Sequence, residues 1–536
     1  MVPPAGTLRP VIPPQFRDLL SDVRPLGDRF AAAGFRLYVV GGRVRDGFAR
    51  PGIVPGAVTA EDITTEDITG GALPGETPDG EIPAEEADVD LTTDATPSEV
   101  KAVVGPAAEA LWTQGERFGT IGCRIGGHTY EITTHRAEAY RPDSRKPDVE
   151  FSREVADDLS RRDFTVNAMA LEVTSADPGL IDPFGGLDDL LAGRLRTPLD
   201  PEVSFSDDPL RMLRAARFIA GYGLEPDPAL RAAVVGMADR LSIVSAERVR
   251  DELVKLLMVE DPSAGLWFVH DTGLADRFLP ELPAMRLEQD PIHRHKDVLA
   301  HTIAVVAQSA RTPEVRLAAL FHDVGKPRTR SIQGGGVSFH HHEVVGARMT
   351  RDRMRALKFP NRTVDDVTQL VYLHLRFHTY QMGWTDSAVR RFVRDAGPLL
   401  GELLALTRAD CTTRNRRKAE ALARRIDELE ERIGELRRSE ELRAIRPDLD
   451  GREVMDHLGL PPGPEVGRAL EHLLELRLEH GPLGHDRALE ELDRWWAARD
   501  DGDTADDPVA ATADDTADDT ASSPARDSGV TRGARR

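Results

Sequence analysis

A chain of 536 residues is longer than one hydrophobic core can serve, so three or more domains are expected. Hydrophobic content of 40% and charged content of 30% are those of a water-soluble protein; no apolar run reaches about 18 residues, and two cysteines cannot form a disulfide framework. The net charge of -22 is concentrated in two appendages: residues 51–87 hold nine Asp and Glu with no Lys or Arg, and residues 500–536 hold ten Asp against four Arg, so the remaining body is free to carry a basic face.

The N-terminus lacks the basic and apolar regions of a signal peptide, and a cytoplasmic location with no membrane partner is expected. Residues 1–10 are proline-rich and expected to be without packed structure, and Gln15 to Gly34 is predicted to be an amphipathic helix. Leu37-Tyr-Val-Val40 is a short apolar run that reads as a buried strand. Gly41-Gly42 and a helix-compatible stretch to Ala49 follow. A strand, a glycine turn and a helix start make an anion site or an ordinary tight turn. Residues 51–87 have too few large apolar groups to pack and read as a disordered acidic insertion. Glu61-Asp62 and Glu66-Asp67 lie in this polar sequence without a strand to hold them.

Asp88 and Asp90 stand at i and i+2, which on a strand puts both carboxylates on one face, about 7 Å apart, where they can clamp one metal. Glu116 to Thr134 reads as a hairpin, on which Glu131 is either a third carboxylate or a solvated strand residue. Arg161-Arg162-Asp163 is either a surface cluster or fixed positive charge for a phosphate. Asp207 to Phe218 is predicted to be a helix with Pro209 in its first turn. Asp208, Arg211, Arg214 and Arg217 recur every third residue along it, so neighbours are adjacent while the stripe drifts about 60° per step. Ser245 is the expected N-cap of a helix to Leu257, with Arg248 where a capping box would need Glu or Gln. A phosphate cradle, paired aspartates and arginines are together the parts of a nucleotidyl transferase.

Nine of the sixteen histidines lie between His293 and His378, and imidazole with carboxylate suits a divalent transition metal. His340 and His341 read as a polar loop, and His293, His295 and His378 as surface residues. Residues 414–499 are helical and charge-alternating, with long helices expected within Leu404 to Leu442. Trp495 and Trp496 read as closing a core, and the repeated Thr-Ala-Asp-Asp beyond residue 500 is low complexity.

The blocks GGRVRD, DVDLTTDATP, RRDFTVNAMA and DDPLRMLRAARF, in this order, resemble the class II tRNA nucleotidyltransferases (CCA-adding enzymes) and bacterial poly(A) polymerases of the polymerase-β superfamily. The resemblance implies an α+β fold: a small N-terminal nucleotidyltransferase head with a mixed sheet, followed by all-α neck, HD and tail domains. It divides the chain into a segment 1–29, a head 30–180, a neck 181–285 for base recognition and RNA binding, an HD domain 286–415, a helical RNA-binding body and tail 416–499, and an acidic tail 500–536. It implies that Asp88 and Asp90 are catalytic and hold Mg²⁺, and that Gly41, Gly42, Arg45 and Arg162 hold the triphosphate. Asp163 would orient its neighbours, Asn167, Met169 and Leu171 would pack or cap, and residues 137–151 correspond to a flexible loop. Asp208 and Arg211 would read the base, with Arg214 and Arg217 on the same nucleotide-binding helix. The family usually has Glu where Asp207 stands, and the 245–257 helix is given a structural role.

One carboxylate beside one guanidinium accepts cytosine and adenine, which pair an amino donor with a ring-nitrogen acceptor, and repels uracil and guanine, which present the reverse. Further on, His301, His322, Asp323 and Asp410 resemble the ligands of an HD phosphohydrolase holding Mn, Ni, Co or Zn, with His342 and His374 for a second ion or a phosphate. That domain implies metal-assisted hydrolysis of a phosphoester. Residues 450–469 resemble an RNA-contacting tail segment. The expected activity is addition of CCA to the 3′ end of tRNA from CTP and ATP. The rivals are a poly(A) polymerase acting on RNA 3′ ends, and an HD phosphohydrolase whose head only binds RNA.

Overall fold

The computed structural model describes residues 16–49, 89–139, 148–175, 178–287, 297–333, 336–379, 385–412, 416–440 and 446–500. Asp88, the acidic insertion with its Glu61-Asp62 and Glu66-Asp67 pairs, His293, His295 and the tail beyond residue 500 lie outside the described residues. The chain forms two compact units, residues 1–439 and 440–536.

The head is a seven-stranded mixed sheet in the order β3-β4-β5-β2-β1-β8-β9. Its strands are β1 (Leu37–Val40), β2 (Val89–Thr93), β3 (Ala110–Trp112), β4 (Thr120–Ile125), β5 (His128–Thr134), β8 (Ala170–Glu172) and β9 (Leu180–Ile181). A separate ribbon pairs β6 (Arg136–Ala139) with β7 (Asp148–Phe151). β1 runs antiparallel to both β2 and β8, while β2 and β5 are parallel. All four residues of β1 are buried, as its unbroken apolar run requires. Leu37 and Val39 join a core with Phe16, Val23, Leu26 and Phe30 of α1 (Phe16–Ala32), while Tyr38 and Val40 pack with Leu159, Ala168 and Ala170 on the other face. Alternation along β2 buries Leu91 with Val39 and turns Asp90 toward the second face. The helices α2 (Gly42–Phe48), α3 (Pro97–Val104) and α4 (Val155–Ser160) belong to the head, and α5 (Gly186–Ala192), in the stretch that the sequence reading gave to the neck, buries Leu187 and Leu191 in the head core.

The neck follows as α6 (Pro201–Asp207), α7 (Leu210–Tyr222), α8 (Pro228–Met237), α9 (Ala246–Leu257) and α10 (Ser263–Asp271). Ser245 caps α9 as expected, its side chain accepting from Arg248 N. The HD segment packs α11 (Val298–Gln308), α12 (Pro313–Phe321), α13 (His342–Ala356), α14 (Asn361–Leu373), α15 (Asp386–Ala396) and α16 (Leu400–Ala409). The long-helix expectation beyond Leu404 is met only after an interruption: α16 stops at Ala409 and α17 (Arg416–Glu440) begins anew, which leaves Asp410 at a helix end. The second unit holds α18 (Gly451–Leu458), α19 (Pro464–His480) and α20 (His485–Asp500) around Leu449, Val454, Ala469, Leu473, Ala488 and Leu492. Trp495 packs against that core as expected, whereas Trp496 is half-buried beside it.

Candidate active site

A cleft of about 350 Å³ lies between the second face of the head sheet and the neck, lined on the head side by Val40, Asp90, Glu131 and Thr133. Asp90 and Glu131 are direct partners in the parallel β2–β5 register, so two carboxylates stand side by side on neighbouring strands, both exposed to the cleft. Glu131, read from the sequence as either a third carboxylate or a solvated strand residue, thus shares the cleft with Asp90. Two adjacent carboxylates are hard oxygen ligands of the kind Mg²⁺ takes.

The glycine bend closes one side. Gly41 has φ 76°, a conformation other residues resist. A β-carbon there would stand 3.3 Å from Arg162 Nη1 and 3.7 Å from Asp90 Oδ2, so glycine keeps the approach between arginine and carboxylate open. Gly42 opens α2 directly after it.

The positive wall is built on buried acids. Asp158, fully buried on α4, takes the guanidinium of Arg161 and, at 3.3 Å, that of Arg162. Burial opposes its charge, yet the two arginines hold it below the usual carboxylate range. Asp163 is likewise buried and held low, chiefly by Arg214, whose Nε lies 2.9 Å from Oδ2; Asn167 Nδ2 donates to Oδ1 at 2.9 Å. Asp163 therefore orients its neighbours as the sequence reading expected, and Asn167 bonds to it rather than merely packing. Fixed, preorganised guanidinium groups suit a polyanion, since little reorganisation remains when it enters.

Two of the expected phosphate or nucleotide ligands, Arg45 and Arg217, are engaged by other side chains and are not among the residues that line the cleft. Arg45 is buried, donates to Asn167 Oδ1 at 2.6 Å and lies 4.2 Å over the Tyr222 ring, at the head–neck junction rather than along the cleft. An aromatic surface on α7 and a buried amide hold the guanidinium beside the glycine bend, with Nη2 3.3 Å from where a Gly42 β-carbon would stand. Arg217 pairs at 2.5 Å with buried Glu252 of α9, one rotation off the cleft-lining stripe of Asp208, Arg211 and Arg214. Arg211 donates to Ser204 Oγ at 2.9 Å and to the main-chain oxygen of Arg161. Asp208 accepts from Leu210 N at 3.2 Å and from Arg248 Nη2 at 2.7 Å.

Arg136 and Arg248 line the cleft although the sequence reading gave neither a site role, and Arg161 lines it with the rest of the Arg161-Arg162-Asp163 cluster. For Arg248 a signal existed: an arginine stands where a capping box would carry Glu or Gln. The structural role assigned to its helix is thus incomplete.

In the HD segment four helix ends and one helix face converge. His301 lies on α11, His322 ends α12, His342 opens α13, His374 ends α14 and Asp410 ends α16. Nδ1 of His322, His342 and His374 faces the carbonyl oxygens of Ala319 (2.8 Å), Phe339 (2.8 Å) and Val371 (2.6 Å), and His301 Nδ1 faces Thr412 Oγ1 at 2.8 Å. Spending Nδ1–H on an oxygen fixes the ring and leaves the Nε2 lone pair for a metal. Two sets result: His301, His322 and Asp410, then Asp323, His342 and His374, each with ligand atoms within 4.8 Å of one another. Asp323 joins them, with Oδ2 3.2 Å from His322 Nε2 and Oδ1 3.4 Å from His342 Nε2. His342 Nε2 and His374 Nε2 are buried with no hydrogen-bond partner among the described residues, which fits metal-ligating nitrogens. Gly325 permits the arrangement, because a β-carbon there would stand 2.1 Å from His342 O.

A carboxylate-bearing sheet opposite a preorganised arginine wall defines a nucleotidyltransferase head, and the downstream ligand cluster defines an HD metal centre. Family descriptions agree along the chain: "Poly A polymerase head domain" matches residues 37–196, "Probable RNA and SrmB- binding site of polymerase A" residues 223–285, and "HD domain" residues 298–415. The A-adding tRNA nucleotidyltransferase of Deinococcus radiodurans is 39% identical over 361 residues, 65% of this chain and 80% of that protein. The CC-adding tRNA nucleotidyltransferase of Thermus thermophilus is 34% identical over 378 residues, 66% of this chain and 81% of that protein. A solved Bacillus stearothermophilus CCA-adding enzyme in complex with CTP shares the fold, with a TM-score of 0.61, 24% identity, and coverage of 91% of this chain and 99% of that one. The chain belongs to the tRNA nucleotidyltransferase family.

Proposed function

We propose that the protein adds CCA to the 3′ end of tRNA from CTP and ATP and releases pyrophosphate. The observation that carries this reading is the pairing of Asp90 and Glu131 opposite Gly41 and Arg162, with Asp208 on the far wall of the same cleft. Asp88, Asp90 and Glu131 would hold Mg²⁺, which would supply charge stabilisation for the terminal 3′-hydroxyl as nucleophile and for the departing pyrophosphate. Gly41 and Gly42 let the triphosphate approach the main chain. Arg162, with Arg161 and Arg214 beside it, orients the phosphates and stabilises their charge. Asp208 accepts from the amino group of cytosine or adenine, and Arg211, which leaves Ser204 to do so, donates to the ring nitrogen. A uracil or guanine in that position leaves buried polar groups unpaired, at about 1–3 kcal/mol each.

The relatives support tRNA as the acceptor, since a D. radiodurans and a T. thermophilus protein of this family are named for adding A and CC to it. The test is incubation with tRNA lacking CCA, and with tRNA lacking only the final A, against CTP and ATP singly and together. Complete CCA supports the proposal. C alone, A alone, or long A runs on generic RNA identify instead a CC-adding enzyme, an A-adding enzyme or a poly(A) polymerase.

For the HD segment we propose a two-ion phosphohydrolase. His301, His322 and Asp410 would hold one divalent transition-metal ion, and Asp323, His342 and His374 would hold a second. Bound ions there supply Lewis acidity for phosphoester hydrolysis. Lys326, 2.6 Å from Asp323, supplies a cation for the phosphate. Metal analysis with release of phosphate from phosphomonoesters and 2′,3′-cyclic nucleotides tests this reading independently of the head.

A further inference from the structure

We propose that Arg248 is a positioning residue for nucleotide choice, fixing Asp208 in the one register in which the cleft accepts cytosine and adenine. The inference rests on the reading of Asp208 as the base-facing carboxylate.

Asp208 sits between α6 and α7 in extended backbone, φ −139° and ψ 99°, so its main chain belongs to neither helix. Its side chain is fixed from two directions. Oδ1 accepts from Leu210 N at 3.2 Å, and Oδ2 accepts from Arg248 Nη2 at 2.7 Å. Arg248 comes from a different helix, α9, whose next turn carries Glu252, and Glu252 grips Arg217 of α7 at 2.5 Å. Two bridges one turn apart therefore set where α9 delivers the Arg248 guanidinium. Arg211 does not secure Asp208, because its own guanidinium is engaged with Ser204 and the main chain of Arg161.

An acceptor beside a donor discriminates between bases only if neither can slide along the pairing edge. If the carboxylate shifts by one atom it can accept from uracil N3–H or guanine N1–H, while the neighbouring guanidinium meets O4 or O6. Rejection of U and G thus depends on where the carboxylate is held as much as on its charge. Arg248 supplies that hold. Its side chain is 53% exposed, and ion pairs this exposed contribute little to stability. Losing it should therefore register in nucleotide choice rather than in folding.

Full-length R248A, R248K and D208A are compared with the unsubstituted enzyme on tRNA lacking CCA, measuring kcat/KM for CTP, ATP, UTP and GTP and the thermal unfolding midpoint. R248A is expected to raise UTP and GTP use relative to CTP and ATP by about tenfold or more. R248K, which keeps a cation at the site, restores most of the discrimination, and R248A unfolds within about 3 °C of the parent. A uniform fall for all four nucleotides, an unchanged ranking, or a large loss of stability with unchanged ranking overturns the proposal. If D208A itself keeps the parent ranking, the assignment of Asp208 to the base has failed, and the Arg248 inference falls with it for that separate reason.

Discussion

At the scale of single residues, the strongest commitments concern two carboxylates and one imidazole. Asp90→Ala should lower nucleotide incorporation by about a thousandfold or more while leaving the circular dichroism spectrum unchanged, because Asp90 is exposed to the cleft and supports no core. Glu131→Gln should cost about ten- to a hundredfold, with part of the loss recovered at high Mg²⁺, as for a weakened metal ligand. His135 is buried beside the Tyr38 ring, and burial pushes its pKa below the usual histidine value, against a smaller opposite pull from Asp158. As pH falls, the unfolded chain takes up this proton first, so the contribution to stability is complete above about pH 6.5 and declines below it. Denaturant unfolding from pH 7.5 to 5.5 should show that decline, and His135→Phe, which keeps a ring against Tyr38, should flatten it.

At the scale of elements, α12 ties neck and HD segment together. Arg316 is buried on that helix and donates to Leu257 O, to Val259 O at 2.5 Å and to Glu260 O at 3.0 Å, closing the C-terminal end of α9. Arg316→Ala leaves those carbonyls unpaired and opens a cavity, and should destabilise by about 3 kcal/mol in denaturant titrations. Elements were largely legible in the sequence. The apolar run of β1, the serine cap of α9 and the strand position of Asp90 each follow from local chemistry and are found where expected, while Asp88 lies outside the described residues. Long-range partners were not legible. Nothing near Arg45 announces that Tyr222, some 180 positions away, takes its guanidinium, and nothing near Glu131 names Asp90 as its neighbour across a parallel ladder. The drift of a three-residue repeat around a helix explains why Arg217 leaves the cleft-facing side of α7 that Arg211 and Arg214 share, while Asp208 reaches the cleft from extended backbone before that helix.

At the scale of the molecule, the head cleft and the histidine–aspartate cluster occupy separate parts of one compact unit. His322→Asn should abolish phosphoester hydrolysis while incorporation stays within about twofold of the parent, whereas Asp90→Ala should do the reverse; either substitution silencing both activities would contradict this separation. Ending the chain after Ser439 removes the second unit, which has its own core. The shortened protein should keep its affinity for CTP, and its KM for RNA should rise by about tenfold if residues 450–469 contact the acceptor.

The cleft's two walls come from different stretches of polypeptide, strands within residues 37–172 on one side and neck helices between Asp208 and Arg248 on the other. Under the function proposed above, bond-making and spelling are heritable apart, and drift in the neck can rewrite which letter is appended while the phosphodiester machinery stands untouched.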